Sequence, residues 1–249
     1  MSEIDPGKEA GSHRQNASGD RASMPGRMLS LLEGIEPAGE RMNIISAALL
    51  DTPYRNFPLV GSAAYPEKMI CSLDGFDCVT YMESALALSR SSRANEYPDR
   101  LRELRYRKGV VQWEKRNHYM VDWIRRNSES GAVRPVTSGE VCRKIHRTLS
   151  EVTDLPSKVV SFTFLPRRDV NDFRPRIESG DLVFFVSTQD SLDVFHTGIL
   201  VWGGTGLVLR HACRSRGRVI EEELTAFLAK NRSAGIIVAR PRRPKEGLP

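Results

Sequence analysis

The sequence has no long hydrophobic run and few of the residues that mark metal or redox sites. No apolar stretch approaches the roughly 18 residues needed to cross a bilayer, and Met1–Arg27 lacks the apolar segment of a signal peptide. The chain has four cysteines in 249 residues. They include no C-x-x-C pair, match no zinc-ribbon spacing, and are too sparse for a disulfide scaffold. We therefore expect neither a membrane span nor a disulfide framework.

Charge of one sign is nowhere concentrated along the chain. The net charge is +6 and 27% of the residues are charged, yet no run of five or six like charges occurs. Such runs mark nucleic-acid-binding arms, so we expect no nucleic-acid partner. A content of 40% hydrophobic residues is typical of a globular protein, and we expect a monomer.

Composition divides the chain into three parts. Residues 1–35 are rich in Gly, Ser and charge and predict a disordered N-terminal arm, in which Met28–Gly34 has the pattern of a short helical turn. Residues 36–241 predict one domain, and residues 242–249 predict a frayed tail.

Helical patterns come first in the domain and strand patterns later, which predicts an α+β fold. Apolar spacing predicts helices over Ala38–Leu50, from Phe76 onward, and over Tyr97–Arg107, Gly139–Ser150 and Ile220–Lys230, with Arg116–Asn127 either helical or irregular. Period-two patterns predict strands over Gly180–Ser187, Phe195–Trp202, Leu207–Ala212 and Gly235–Arg240.

Cys78 lies where a loop becomes the central helix, in the stretch DGFDCVTYMESALALSR. Asp77 is a good N-cap and places Cys78 in the first turn. Unpaired N–H groups there favour a thiolate, so we expect a lowered thiol pKa and a nucleophile. On its own, the residue is more typical of an inert buried cysteine.

Two histidines belong to one predicted hairpin. A short loop at Gly203–Gly206 pairs Trp202 with Leu207, which places His196, His211 and Cys213 on one face of the sheet. His196 and His211 become diagonal neighbours, with backbones roughly 7–8 Å apart. A Cys with a nearby His and a further orienting group is the arrangement of nucleophilic catalysis.

The order of several motifs carries a resemblance to a known family. TPY, FDCVTYMES, RNHYMVDW, SGDLVFFVS, HTGILV and LRHA follow one another between about Ala38 and Arg240. In this order they resemble the N-acetylmuramoyl-L-alanine amidase-like branch of the NlpC-type papain-like cell-wall peptidases. The resemblance implies a papain-like fold, in which a central helix carrying the Cys packs on an antiparallel sheet or half-barrel from the C-terminal half.

The resemblance also implies roles for single residues. Cys78 matches the nucleophile, His196 the general base and His211 the group that orients it. Tyr54 matches a tyrosine beside the nucleophile, and Asp77 the residue preceding it. The segment Arg116, Asn117 and His118 matches a family signature that lines the substrate groove; a polar loop holding its own backbone is the alternative.

The implied activity is a cofactor-independent cysteine amide hydrolase acting on peptidoglycan or muropeptides. The implied bond joins N-acetylmuramic acid to L-alanine. A γ-D-glutamyl–diamino acid endopeptidase, a protein acyltransferase or deamidase, and a non-catalytic binding module stay open. So does a zinc site formed by Cys78, Cys213, His196 and His211, although no spacing requires one.

The sequence assigns no compartment. Three routes stay open: export to the periplasm from an upstream start, muropeptide recycling in the cytoplasm, and delivery by a dedicated secretion system.

Overall fold

A single antiparallel sheet organises the molecule. The computed structural model describes residues 24–204 and 206–244. The eight strands within them are β1 (Val133–Pro135), β2 (Arg143–Leu149), β3 (Lys158–Pro166), β4 (Asp181–Val186), β5 (Val194–Gly203), β6 (Gly206–Cys213), β7 (Arg218–Glu223) and β8 (Gly235–Pro241). Seven of them follow the order β2-β3-β8-β4-β5-β6-β7, and β1 pairs with β8.

Seven α-helices accompany the sheet in the same described residues, so the fold is mixed α+β, as the sequence predicts. They are α1 (Met24–Ser30), α2 (Ala38–Ala48), α3 (Cys78–Arg90), α4 (Tyr97–Arg105), α5 (Met120–Glu129), α6 (Val170–Phe173) and α7 (Leu224–Lys230). In the part of the chain that the structure describes, no helix is long and apolar enough to span a bilayer.

The two faces of the sheet bury two separate cores. Helix α3 contributes Tyr81 and Leu86 to the first core, which also receives Ile199 and Val201 from β5. The second core lies on the opposite face, where Phe227 of α7 packs with inward residues of β4, β5 and β6. Because side chains alternate along a strand, consecutive residues of β5 belong to different cores.

Helix α3 is the central helix, and polar anchors fix it within the first core. Tyr81 donates its hydroxyl to the Ser46 carbonyl at 3.1 Å. Glu83 accepts from Arg105 at 2.7 Å and from the Trp123 indole at 3.0 Å. Glu83 and Arg105 are both buried, so this ion pair joins α3 to α4 out of solvent.

Two predicted helices are wrong. Within Gly139–Ser150 the structure forms strand β2, which pairs with β3 from Arg143 opposite Phe164 to Leu149 opposite Lys158. The apolar residues of the predicted segment, Val141, Ile145 and Leu149, recur every four positions, and this spacing fits a strand as well as a helix. The predicted helix Ile220–Lys230 instead begins as strand β7 and becomes helical only at Leu224.

Part of the predicted N-terminal arm is ordered. Residues 24–30 form α1, and Met28 and Leu32 are buried in the first core. Residues 1–23 of the arm and 245–249 of the predicted tail lie outside the described residues. The part of the tail that is described contacts the domain, because the Arg242 amide donates to the Ala132 carbonyl at 2.9 Å.

Candidate active site

Cys78 is the first residue of α3, as its sequence context predicts. Asp77 is the N-cap: its carboxylate accepts from the Thr80 amide at 2.7 Å, and the Thr80 hydroxyl accepts from the Asp77 amide at 3.0 Å. This reciprocal capping box fixes the first turn of the helix. The position of Cys78 is therefore set by the backbone of a rigid, buried helix.

The thiol of Cys78 is not pre-ionised. Burial, reinforced by the Asp77 carboxylate, raises the pKa of Cys78 to about 11, against hydrogen bonds from Thr197 that lower it. The expectation of a lowered pKa was therefore wrong. The sequence reveals the helix terminus, but neither the desolvation of the thiol nor the charge of its own cap.

Strand β5 meets Cys78 at Thr197. The Thr197 hydroxyl donates to the Cys78 carbonyl at 2.8 Å, and Thr197 is buried on the face that packs against α3. Sequence reasoning missed this residue. Its position directly after His196 in the strand is the signal that could have found it, because consecutive strand residues face opposite sides.

The predicted hairpin register is confirmed. Trp202 lies opposite Leu207 and Gly203 opposite Gly206, and His196 Nε2 lies 2.7 Å from His211 Nδ1. Gly198 permits the close approach of β6, since a Cβ there would lie 2.5 Å from Leu209 Cδ1 and 2.8 Å from the Arg210 carbonyl oxygen. The H-x-G spacing thus has a packing reason.

Glu222 extends the histidine pair into a chain of three polar groups. His211 Nε2 lies 3.0 Å from Glu222 Oε1, and Lys230 approaches the other carboxylate oxygen at 3.3 Å. Glu222 is a diagonal neighbour of His211, because β6 and β7 pair His211 with Ile220. It was missed because Ile220–Lys230 was predicted to be a helix, and RVIEEE has no apolar–polar alternation in sequence that would have indicated a strand.

Both imidazoles are held neutral by their surroundings. Burial, followed by the His211 charge, lowers the pKa of His196 to about 3. Burial also lowers the pKa of His211, against the opposing effect of Glu222. A neutral His211 that donates from Nε2 to the Glu222 carboxylate must accept at Nδ1. The donor to His211 Nδ1 is then His196 Nε2–H. A neutral imidazole carries a single N–H, so His196 Nδ1 is unprotonated and can accept a proton.

The histidine rings face the second core, opposite to α3. His196 packs on Phe227 at 5.3 Å between ring centroids and on Phe185 at 6.1 Å. The two residues His196 and Thr197 therefore link the faces of the sheet: one belongs to the histidine pair and the next holds Cys78. A β-bulge between Phe185 and Val186 disturbs the pairing of β4 and β5 at this level. Bulges re-aim side chains next to active sites.

An open cleft of about 1110 Å³ adjoins the histidines, and Cys213 lines it as the register predicts. Its lining includes the basic residues Arg214 and Arg216 and the acidic residues Glu221 and Glu223.

Tyr54 lies beside the start of α3. It forms a parallel bridge with Phe76, and its amide donates to the Gly217 carbonyl at 2.8 Å. Burial, followed by the charges that Cys78 and Asp77 carry when ionised, raises the pKa of Tyr54. Tyr54 therefore lies close enough to Cys78 for the charges of the two groups to interact.

The predicted groove segment makes its described contacts elsewhere. Arg116 pairs with Glu67 at 3.0 Å. Asn117 donates to the Leu104 carbonyl at 3.0 Å, and His118 Nε2 lies 2.8 Å from the Trp113 carbonyl. The His118 contact fits the alternative interpretation, a polar loop that holds its own backbone, whereas Arg116 and Asn117 tie the segment to Glu67 and to α4.

The zinc alternative finds no support in the geometry. Across residues 24–204 and 206–244, no group of three or more His, Cys, Asp and Glu side chains is arranged to hold a metal ion. Cys213 instead contacts the Ser215 hydroxyl at 3.3 Å.

A protein-family model described as AmiA-like, N-acetylmuramoyl-L-alanine amidase-like, matches residues 44–236. The chain belongs to this amidase-like family. The match spans both Cys78 and the His196–His211 pair, so the family region contains the whole candidate site.

Solved structures agree with the family assignment. A crystal structure of an N-acetylmuramoyl-L-alanine amidase from Bacteroides uniformis is 25% identical, with a TM-score of 0.74, and the alignment covers 83% of this chain and 99% of that one. A Legionella pneumophila protein at 19% identity shares the fold, with a TM-score of 0.75 over 92% of this chain and 97% of its own. Comparison with curated protein sequences gives no match.

Proposed function

We propose that this member of the amidase-like family is a cysteine-dependent amide hydrolase that cleaves the bond between N-acetylmuramic acid and L-alanine in peptidoglycan or its fragments. The family and a structural neighbour supply the substrate class. The observation that carries the catalytic assignment is the hydrogen-bonded chain His196–His211–Glu222, which begins one residue before the threonine that holds Cys78.

Each group of the chain has one task. In the proposed step His196 Nδ1 accepts the Cys78 thiol proton as sulfur attacks the amide carbonyl carbon. This step requires the two side chains to approach each other, because the described contacts of His196 are with His211, Phe185 and Phe227 and not with Cys78. His211 fixes the tautomer and orientation of His196, and Glu222 does the same for His211. In the resting state the thiol and the imidazole are both neutral, so the proton moves only when the substrate is in place.

The first turn of α3 offers donors for the oxyanion. The Thr80 amide is occupied by the Asp77 carboxylate and the Tyr81 amide by the Asp77 carbonyl. The amides of Cys78 and Val79 are the two in this turn that neither bond uses. Preorganised N–H groups at such a position stabilise the charge that develops on the carbonyl oxygen.

The proposed catalytic cycle of amide hydrolysis needs no cofactor. The C–N bond breaks as His196 returns its proton to the departing L-alanyl amine, leaving the muramoyl group as a thioester on Cys78. His196 then takes a proton from water, hydroxide attacks the thioester, and the proton returns to the sulfur. The arrangement, a Cys that begins a helix followed by two His on adjacent strands, supports placing the chain in the NlpC-type papain-like superfamily.

Product analysis tests the bond that is cut. Purified protein is incubated with a defined muropeptide, and the products are identified by mass. We expect a free stem peptide with an L-alanine amino terminus and the peptide-free saccharide. A shortened stem still attached to the sugar contradicts the bond assignment and favours a γ-D-glutamyl–diamino acid endopeptidase. Transfer to an added amine, or ammonia release from a protein, favours the acyltransferase or deamidase.

A further inference from the structure

A second cleft lies at the other end of α3 from Cys78. It has a volume of about 1120 Å³ and is formed by the ends of α3, α4 and α5, the turn at Arg107–Gly109 and the described C-terminal residues. At 1.5 Å per residue, the first and last residues of α3 are about 18 Å apart. The cleft is therefore separate from the candidate active site.

The lining of this cleft is strongly basic. Eight lining residues are Arg or Lys and only two are acidic, whereas the chain as a whole has 37 basic and 31 acidic residues. Because like charges repel within a concave, partly desolvated surface, such a cluster costs free energy unless an anion offsets it.

Acidic residues neutralise only part of the cluster. From outside the lining, Asp122 meets Arg126 at 4.0 Å and Glu36 pairs with Arg243. Glu129 pairs with Arg125 at 3.0 Å, and Glu103 meets Arg100 at 3.4 Å. Arg90 donates to the backbone carbonyls of Ala132 and Arg242, which carry no net charge.

Several cations of the cleft keep unused donors. Among the ion pairs described for residues 24–204 and 206–244, none involves Arg107, Lys108 or Arg242, and all three are exposed. Arg100 Nε is buried without a hydrogen-bond partner. Burial, followed by the charge of Arg100, lowers the pKa of Arg90 to about 10. The cleft thus presents charge and hydrogen-bond donors together.

We propose that this cleft binds a compact polyanion carrying two or more phosphate groups. The hydrogen-bond donors of the cleft come from helix ends, a turn and the C-terminal segment. A tetrahedral phosphate accepts hydrogen bonds from many directions, whereas a planar carboxylate accepts them best from two. Arginine forks suit phosphate oxygens. The only aromatic residue of the lining, Tyr106, is buried, so the cleft has no platform for stacking nucleic-acid bases.

Calorimetric titration with inorganic tripolyphosphate at constant ionic strength tests the proposal. The full chain is compared with the double variant Arg107→Gln, Lys108→Gln and with the control Arg143→Gln, Lys144→Gln. The control removes the same charge from the exposed positions of edge strand β2. All four side chains are exposed, and circular dichroism checks that both variants fold like the wild type.

We expect saturable binding at one site, weakened at least tenfold in the cleft variant and changed less than twofold in the control. Equal weakening in both variants, or no saturation, overturns the proposal. So does equally tight binding of citrate. Binding of single-stranded RNA or anionic vesicles without binding of tripolyphosphate also overturns it. None of these results depends on amidase activity.

Discussion

The protonation of Cys78 is the feature of single residues that shapes the chemistry most. Its thiol has a pKa raised to about 11 by burial and by Asp77, so it carries little thiolate at neutral pH. We expect iodoacetamide to alkylate Cys78 more slowly than free cysteine at pH 7, with the rate rising about tenfold per pH unit up to pH 10. Mass spectrometry of the labelled peptide measures the rate.

The variant Asp77→Asn separates the charge of the cap from its hydrogen bond. The amide oxygen still accepts from the Thr80 amide, so the helix keeps its cap, while the loss of the negative charge lowers the pKa of Cys78. Its alkylation profile should shift to lower pH. Rapid alkylation of the wild type at neutral pH would contradict this description of the thiol.

Glu222 is predicted to orient the histidine pair. Glu222→Ala removes the acceptor of His211 Nε2–H, a charge-assisted bond of about 1.5–3 kcal/mol, and we expect kcat to fall about tenfold or more with a smaller change in KM. Partial recovery in Glu222→Gln supports orientation, because the amide oxygen still accepts. The control is Glu140→Gln, at an exposed position outside the cleft that adjoins the histidines. Equal kcat in Glu222→Ala and the control would show that Glu222 does not orient the histidine pair.

The resting state also predicts the pH profile of catalysis. Because the pKa of His196 is lowered to about 3, the base is already neutral throughout the range from pH 5.5 to 8. We expect kcat/KM to be flat over that range. An acid limb near pH 6.5, the ordinary pKa of histidine, would show that His196 is not buried as described.

At the scale of elements, the stability of α3 depends on a buried ion pair that the helical pattern does not reveal. Glu83 and Arg105 each expose only 2% of their side chains, and removing one partner leaves an unpaired buried charge. We expect Glu83→Ala to lower the free energy of unfolding by about 3–5 kcal/mol. The control, Arg102→Ala, breaks an exposed pair with Asp99 and should cost less than about 1 kcal/mol. Similar losses in urea unfolding would contradict a special role for the buried pair.

Helices and strands could be predicted from the sequence where the spacing of apolar residues fitted only one of the two. The β5–β6 hairpin and the start of α3 at Cys78 follow from turn chemistry and capping. Strand β2 could not be told from a helix, because its apolar residues recur every four positions. The lack of apolar–polar alternation in RVIEEE hid β7, and with it Glu222, the third member of the polar chain.

At the scale of the whole molecule, the site depends on long-range packing that no local pattern encodes. The contact of Thr197 with Cys78 joins residues 119 positions apart. The burial that shifts the pKa values of Cys78 and His196 arises only when the two cores pack against the sheet. The motif order predicted the candidate residues Cys78, His196 and His211. It did not predict the neutral thiol, or the contacts of Arg116 with Glu67, of Asn117 with the Leu104 carbonyl and of His118 with the Trp113 carbonyl.

Burial of the histidine pair also predicts how stability depends on pH. The folded-state pKa of His196, about 3, lies below its unfolded value of about 6.5. Its contribution to stability is therefore fully present above pH 6.5 and is lost as pH falls toward 3. We expect the free energy of unfolding to decrease from pH 6.5 to pH 4 in the wild type, and less steeply in His196→Gln.

The exposed His146 supplies the control for this experiment. His146→Gln should keep the acid dependence of the wild type in urea unfolding. If the free energy of unfolding falls with pH equally steeply in His196→Gln and His146→Gln, the burial of His196 does not contribute to the acid dependence of stability.

The most direct test of the whole account compares cysteine variants in one assay of muropeptide hydrolysis. Cys78→Ala is measured beside Cys71→Ala and Cys142→Ala, which remove other half-buried thiols, with release of the L-alanyl peptide followed by mass. We predict that Cys78→Ala releases no peptide above the uncatalysed background, while both controls retain activity within a few-fold of the wild type. Peptide release by Cys78→Ala at the rate of the controls would contradict the assignment of Cys78 as the nucleophile.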